Sequence, residues 1–118
     1  MRHRAVVGAM FLSTILLAWC AGCDAPPIKP SLTDPDPSVK IPAMKQAVAE
    51  RDMSAVPILI KNLDSDDPAV RFFANDALKK LTGRSFGFLY YEDEGVRRPA
   101  VEKWKAWYAG SAVAASKP

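Results

Sequence analysis

Apolar residues recur along this chain in blocks of helical period, separated by short polar or acidic breaks. The clearest block is residues 66–83, DDPAVRFFANDALKKLTG, where Val70, Phe73, Ala74, Ala77, Leu78 and Leu81 follow three-and-four spacing. On a helix these positions form one stripe about 100° wide. The block carries its own start and stop. Asp66 or Asp67 is placed to cap the first turn, and Pro68 stands at the first helical position, where a missing N–H costs nothing. Lys79 and Lys80 complement the dipole in the last turn, and Gly83 stands where a left-handed cap residue belongs.

Weaker blocks flank this one. Met44, Ala47 and Val48 predict a helix over residues 42–51, with Pro42 in or before its first turn. Residues 52–54 make a break, with Ser54 as N-cap. Pro57 then opens a short helix running to about Leu63, with Val56, Leu59, Ile60 and Leu63 as its stripe. The connection through the acidic turn at 64–67 is short enough to fold this helix and the central one into an antiparallel hairpin. Past Gly83 the period changes. Phe86, Phe88 and Tyr90 alternate, which permits a short extended segment without an evident partner strand. A last helix, starting between Arg97 and Pro99, carries Val101, Trp104, Trp107 and Tyr108. Residues 111–118 are small and polar and are expected to be a disordered tail.

The first residues have a different character. Arg2 and Arg4 precede an almost uninterrupted apolar run over 5–19, which ends in Cys20-Ala21-Gly22-Cys23. This is the three-part layout of an export signal, and the run falls short of the roughly 20 residues that span a bilayer. Ala21-Gly22-Cys23 resembles the lipobox of bacterial lipoproteins, although Cys20 stands where that family usually has Leu. The resemblance implies that residues 1–22 are a signal peptide and that Cys23 is lipidated. It also implies an exported protein anchored to a membrane on its periplasmic side. Asp24 resembles the signal that retains some lipoproteins at the inner membrane. The same cysteines also admit a retained anchor, a redox dithiol or half a zinc site, but the chain has no other cysteine to complete four ligands. Residues 23–37 carry Pro26, Pro27, Pro30, Pro35 and Pro37 and are expected to form an extended tether. At about 3.1 Å per residue it would hold the following domain, residues 38–110, roughly 40 Å from the membrane.

Self-comparison adds an internal repeat. Pro37-Ser38-Val39-Lys40 falls on Pro68-Ala69-Val70-Arg71 and on Pro99-Ala100-Val101-Glu102 at an offset of 31. Farther on, Met44, Ala47 and Val48 match Ala74, Ala77 and Leu78 better at an offset of 30, so a one-residue slip is expected near Pro42. Residues 55–60, AVPILI, with 66–71, DDPAVR, and Ala74 to Leu78, resemble a HEAT repeat of the short variety found in phycobilin lyase-like proteins. The resemblance covers one full repeat and a degenerate half on each side. It implies an all-α fold, a short right-handed α-solenoid fragment of helical hairpins. Phe86, Phe88, Trp104 and Trp107 then cap its open end, in an aromatic loop and the C-terminal helix.

Charge and chemistry narrow the function. The net charge is +3, but the signal removes Arg2 and Arg4 and no acid, leaving +1 with both signs interspersed. No basic block marks a nucleic-acid partner. His3 is the only histidine and leaves with the signal, so the remainder has no His-dependent triad, no His/Cys metal set and no sign of a cofactor. A non-enzymatic interaction module holding an envelope protein is the expectation. Its candidate contact residues, on the face of the central helix away from Val70, are Arg71, Phe72, Asn75 and Lys79. Phe72 either anchors the partner or is covered by the aromatic loop. The alternative is an accessory glycan- or metal-binding lipoprotein, using Tyr90, Tyr91 and Glu92 of the loop at 86–94 for sugar stacking or for a cation. Glu92, Asp93 and Glu94 lack the alternating ligand spacing of an EF-hand loop and also fit a solvated acidic loop.

Overall fold

The computed structural model describes residues 31–116. The expected signal peptide, Cys23 and the tether up to residue 30 lie outside this range. Among the described residues the fold is all helical, with no strand: α1 (Pro37–Ala49), α2 (Val56–Asn62), α3 (Pro68–Thr82), α4 (Glu94–Ala109) and the single turn α5 (Ala112–Ala115), plus a 3₁₀ turn at Met53–Ala55.

Helix α3 matches its local signals at both ends. The Asp67 carboxylate accepts from the Ala69 and Val70 amides at 2.7 and 3.3 Å, and Pro68 is the first helical residue. Gly83 closes the helix at φ 68°, its N–H donating to the Lys79 carbonyl at 2.9 Å. Between the caps, Val70, Ala74, Ala77 and Leu78 are buried, and Phe73 and Leu81 are half-buried beside them.

Helix α1 starts earlier than its periodicity predicts. Asp36 caps it, accepting from the Ser38 amide at 2.8 Å, and Pro37 is the first helical residue. Pro42 therefore lies inside the helix rather than at its start. It has no N–H for the Ser38 carbonyl, but both residues are exposed on one face, so water can satisfy the freed oxygen. Helix α4 repeats the device. It begins at Glu94, ahead of the predicted start, and Pro99 and Gly95 are again both exposed. At an offset of 31, Asp36-Pro37 matches Asp67-Pro68. Past Pro42, at the expected offset of 30, buried Met44 and Ala47 fall on buried Ala74 and Ala77, within a helix that runs unbroken through the proline.

The chain leaves α1 through a Schellman turn. Asp52 N–H donates to Ala47 O at 2.9 Å and Arg51 N–H to Val48 O at 3.1 Å, with Arg51 in the left-handed region at φ 52°. Asp52, rather than the expected Ser54, caps the 3₁₀ turn that feeds α2, accepting from the Ser54 amide at 3.0 Å. Pro57 then sits within the first two positions of α2.

Helix α3 packs against both α1 and α2, and α2 in turn against α4. Their shared core holds Met44, Val56, Leu59, Leu63, Val70, Leu78, Val101 and Trp104, all essentially inaccessible. Trp104 is its largest member. Phe86 meets it edge-on at 4.7 Å and Trp107 at 5.7 Å, while Phe88 is buried nearby in the same cluster. Gly87, at φ 73°, interrupts the extended path between the two phenylalanines, so the alternation does not become a strand.

Contacts and a helical turn lie on either side of residues 38–110. Leu32 packs on the core, and its carbonyl accepts from the buried Asn62 Nδ2 at 3.2 Å, so the chain already touches the helices at Leu32. After Gly110, α5 replaces the start of the expected tail, with Ser111 N–H bonded to Tyr108 O at 3.0 Å.

Candidate functional site

Arg71 organises the surface that α3 shares with the loop leading into α4. Its neighbour Val70 faces the core, and the Arg71 side chain turns back over the first turn of the helix. Nη1 donates to the Ser65 and Asp66 carbonyls at 2.8 and 2.9 Å, and Nε donates to the Tyr90 carbonyl at 2.8 Å. Three carbonyls that no helix satisfies thus find one cation, the kind of charge-assisted bonding that keeps a buried guanidinium tolerable. Burial first, and the like charge of Arg97 second, hold Arg71 below the ordinary arginine value, with Asp67 and Asp66 opposing the shift. Arg97, on α4, donates Nη1 to the Glu92 carbonyl. Two arginines therefore hold the loop by its backbone at positions 90 and 92.

The aromatic side chains held above this frame form a continuous edge-to-face string. Phe73 meets Phe72 at 5.2 Å, Phe72 meets Tyr90 at 5.1 Å, and Tyr90 meets Tyr91 at 5.3 Å, with interplanar angles of 83°, 74° and 89°. Such geometry pairs the positive edge of each ring with the negative face of the next. Lys45 from α1 lies over the outer face of Phe73, 4.8 Å from its centroid. Phe72, Tyr90 and Tyr91 remain 44%, 36% and 64% exposed. With Leu89 and Val96 they are the exposed large hydrophobic residues of the described chain, and all five lie on α3 or in residues 89–96.

Carboxylates flank these residues along the chain. Asp64, Asp66 and Asp67 occupy the turn whose carbonyls Arg71 holds, and Glu92, Asp93 and Glu94 follow the two tyrosines. Arg98 pairs with Glu94 at 2.7 Å. That hydrogen bond and the Glu94 charge raise Arg98 above the ordinary arginine value, with a smaller contribution from Asp64.

The residues expected from sequence are thereby redistributed. Arg71 does not project outward as a partner contact. It is buried because three backbone carbonyls converge on it. Phe72 is both partly covered by Tyr90 and exposed, so its two alternative roles are not exclusive. Asn75 is half-buried and Lys79 exposed farther along α3. Tyr90 meets Phe72 and Tyr91 meets Tyr90, so the contact helix and the ligand loop share one aromatic surface, with Glu92 next in the chain. Among the described residues no three Asp, Glu, His or Cys side chains converge to hold a metal ion. Leu89 and Val96 escaped sequence reasoning. Asp93 and Glu94 were the available signal for a helix start that brings Val96 onto α4.

Comparison with protein-family models, with curated proteins and with solved structures found no match to this chain.

Proposed function

We propose that this chain is a membrane-anchored lipoprotein of the bacterial cell envelope, lipidated on Cys23, whose helical domain is a non-enzymatic protein–protein interaction module. In this reading the helices are a short HEAT-like solenoid fragment, with α2 and α3 as the full repeat and α1 as a degenerate half. The matching Asp-Pro starts of α1 and α3 at an offset of 31 support it. So does the central position of α3, packed against both α1 and α2.

The observation that carries the functional reading is the gathering of the five exposed large hydrophobics on α3 and residues 89–96. Isolated exposed apolar residues are ordinary, but a contiguous aromatic surface with a polar border marks a contact site. Tyr and Phe held rigidly by a buried framework lose little conformational freedom on binding, the condition under which such residues dominate an interface. A ligand bound at the loop would also meet Phe72, because Phe72 and Tyr90 touch.

Photocrosslinking from intact membranes tests the proposal, with the reactive residue at Tyr91 and a control on α4 at Lys103. One discrete envelope protein captured from Tyr91 alone, whose binding to the purified chain is lost in Tyr91→Ala, is the expected result. Equal capture from both positions, or none from either, overturns it. Incorporation of a labelled fatty acid, lost in Cys23→Ser and kept in Cys20→Ser, tests the anchor.

A further inference from the structure

The geometry points to the chemistry of the partner: we infer that the Phe72–Tyr90–Tyr91 surface takes an extended basic segment, a peptide presenting Lys or Arg side chains. This rests on the interaction-module reading above and names what the module binds.

Two independent features converge on a cation. The first is the ring geometry. Phe72, Tyr90 and Tyr91 meet edge to face, at 74° and 89°, so each contact occupies one ring face rather than the two that a stacked pair would, and Tyr91 remains 64% exposed. An exposed aromatic face attracts ammonium and guanidinium groups through its quadrupole, and Lys45 already sits on the Phe73 ring in this way. The second is the charge around the rings. Asp64, Asp66 and Asp67 on one segment and Glu92, Asp93 and Glu94 on the other carry six carboxylates, of which Asp67 also caps α3 and Glu94 pairs with Arg98.

The cations among them are committed internally. Arg71 is spent on the carbonyls of Ser65, Asp66 and Tyr90, Arg97 bonds the Glu92 carbonyl, and Arg98 pairs with Glu94. The guanidiniums keep their charge in these bonds, but the six carboxylates outnumber the three of them, so the field reaching an incoming partner is negative. Such a field attracts a basic segment and repels phosphate, anionic lipid headgroups and nucleic acid. An uncharged partner would use the rings but gain nothing from the carboxylates. An extended segment suits the surface because it can place cations against successive rings.

The test uses the full chain in a neutral detergent and three fluorescein-labelled extended peptides of about ten residues, repeats of Arg-Pro, Gln-Pro and Glu-Pro. Anisotropy titrations at about 50 mM salt, repeated near 300 mM, read the affinity and its screening. The Arg-Pro peptide is expected to bind at least about tenfold more tightly than the Gln-Pro peptide and to weaken at the higher salt, and the Glu-Pro peptide to show no binding. Tyr91→Ala, and separately Glu92→Gln with Asp93→Asn, should each reduce Arg-Pro binding about tenfold with the helical melting curve unchanged. Equal affinity for the Arg and Gln peptides, no binding of the Arg peptide, or full binding by the variants overturns the inference. Where the peptide test fails and Tyr91 still captures an envelope protein, the module reading stands and the basic partner is wrong. Failure of both removes the module reading as well.

Discussion

Arg71 Nε donates to the Tyr90 carbonyl at 2.8 Å, tying the second turn of α3 to a loop residue nineteen positions away. The same guanidinium holds Ser65 and Asp66, so one side chain ties the acidic turn before α3 to the loop that bears Tyr90 and Tyr91. Its removal separates stability from surface order. Arg71→Ala leaves three carbonyls without their donor and should destabilise the domain by about 2–4 kcal/mol. Arg71→Lys should restore only part of this, because an ammonium cannot reproduce the planar fork. Denaturant titration measures the first effect. Hydrogen exchange of the amides at 89–92 should rise in both variants, and unchanged exchange there would show that Arg71 does not order the loop.

Trp104 fills the centre of the core, yet its Nε1 has no hydrogen-bond partner. Its contribution is therefore volume and area rather than polarity. Trp104→Ala should cost roughly 3–5 kcal/mol. Trp104→Phe also removes the unpaired donor and should cost under about 1.5 kcal/mol. Equal losses in urea unfolding would mean that the indole N–H is bonded to something after all.

Arg51 adopts φ 52° at the position where a Schellman turn favours glycine. Its Cβ strains the left-handed conformation by about 1 kcal/mol, partly offset by glycine's greater freedom in the unfolded chain. Arg51→Gly should therefore stabilise the domain by about 0.5–1 kcal/mol, read as a raised Tm. A lowered Tm would show that the Arg51 side chain does more than end α1.

Asp36 ties the start of α1 to pH. The hydrogen bonds from Ser38 lower its carboxyl below the ordinary value of 3.8. A depressed folded value means that its contribution is present above 3.8 and lost as the pH falls through the lower folded value. Asp36→Asn caps the helix at any pH. Its Tm relative to wild type should therefore rise as the pH is lowered from about 4 to about 2. A constant difference across that range would remove Asp36 from the acid response.

Local signals and tertiary contacts divide this protein between them. The sequence alone determines α3, because its caps at Asp67 and Gly83 and its stripe of Val70, Ala74, Ala77 and Leu78 act within a few residues of one another. It also determines the aromatic content of the Trp104 cluster, whereas the start of α1 at Asp36-Pro37 lies ahead of the periodic stripe and emerges only with the cap in place. Only the tertiary structure decides that Arg71 turns inward, since the Tyr90 carbonyl it needs is distant in sequence and helical periodicity assigns no direction to a long, flexible side chain. Pro42 and Pro99 can lie inside helices because Ser38 and Gly95 face water, an exposure that depends on which faces the neighbouring helices cover. Phe72 and Tyr90 become one surface for the same reason: eighteen positions separate them in the chain, and the Arg71 bond closes that distance in the fold.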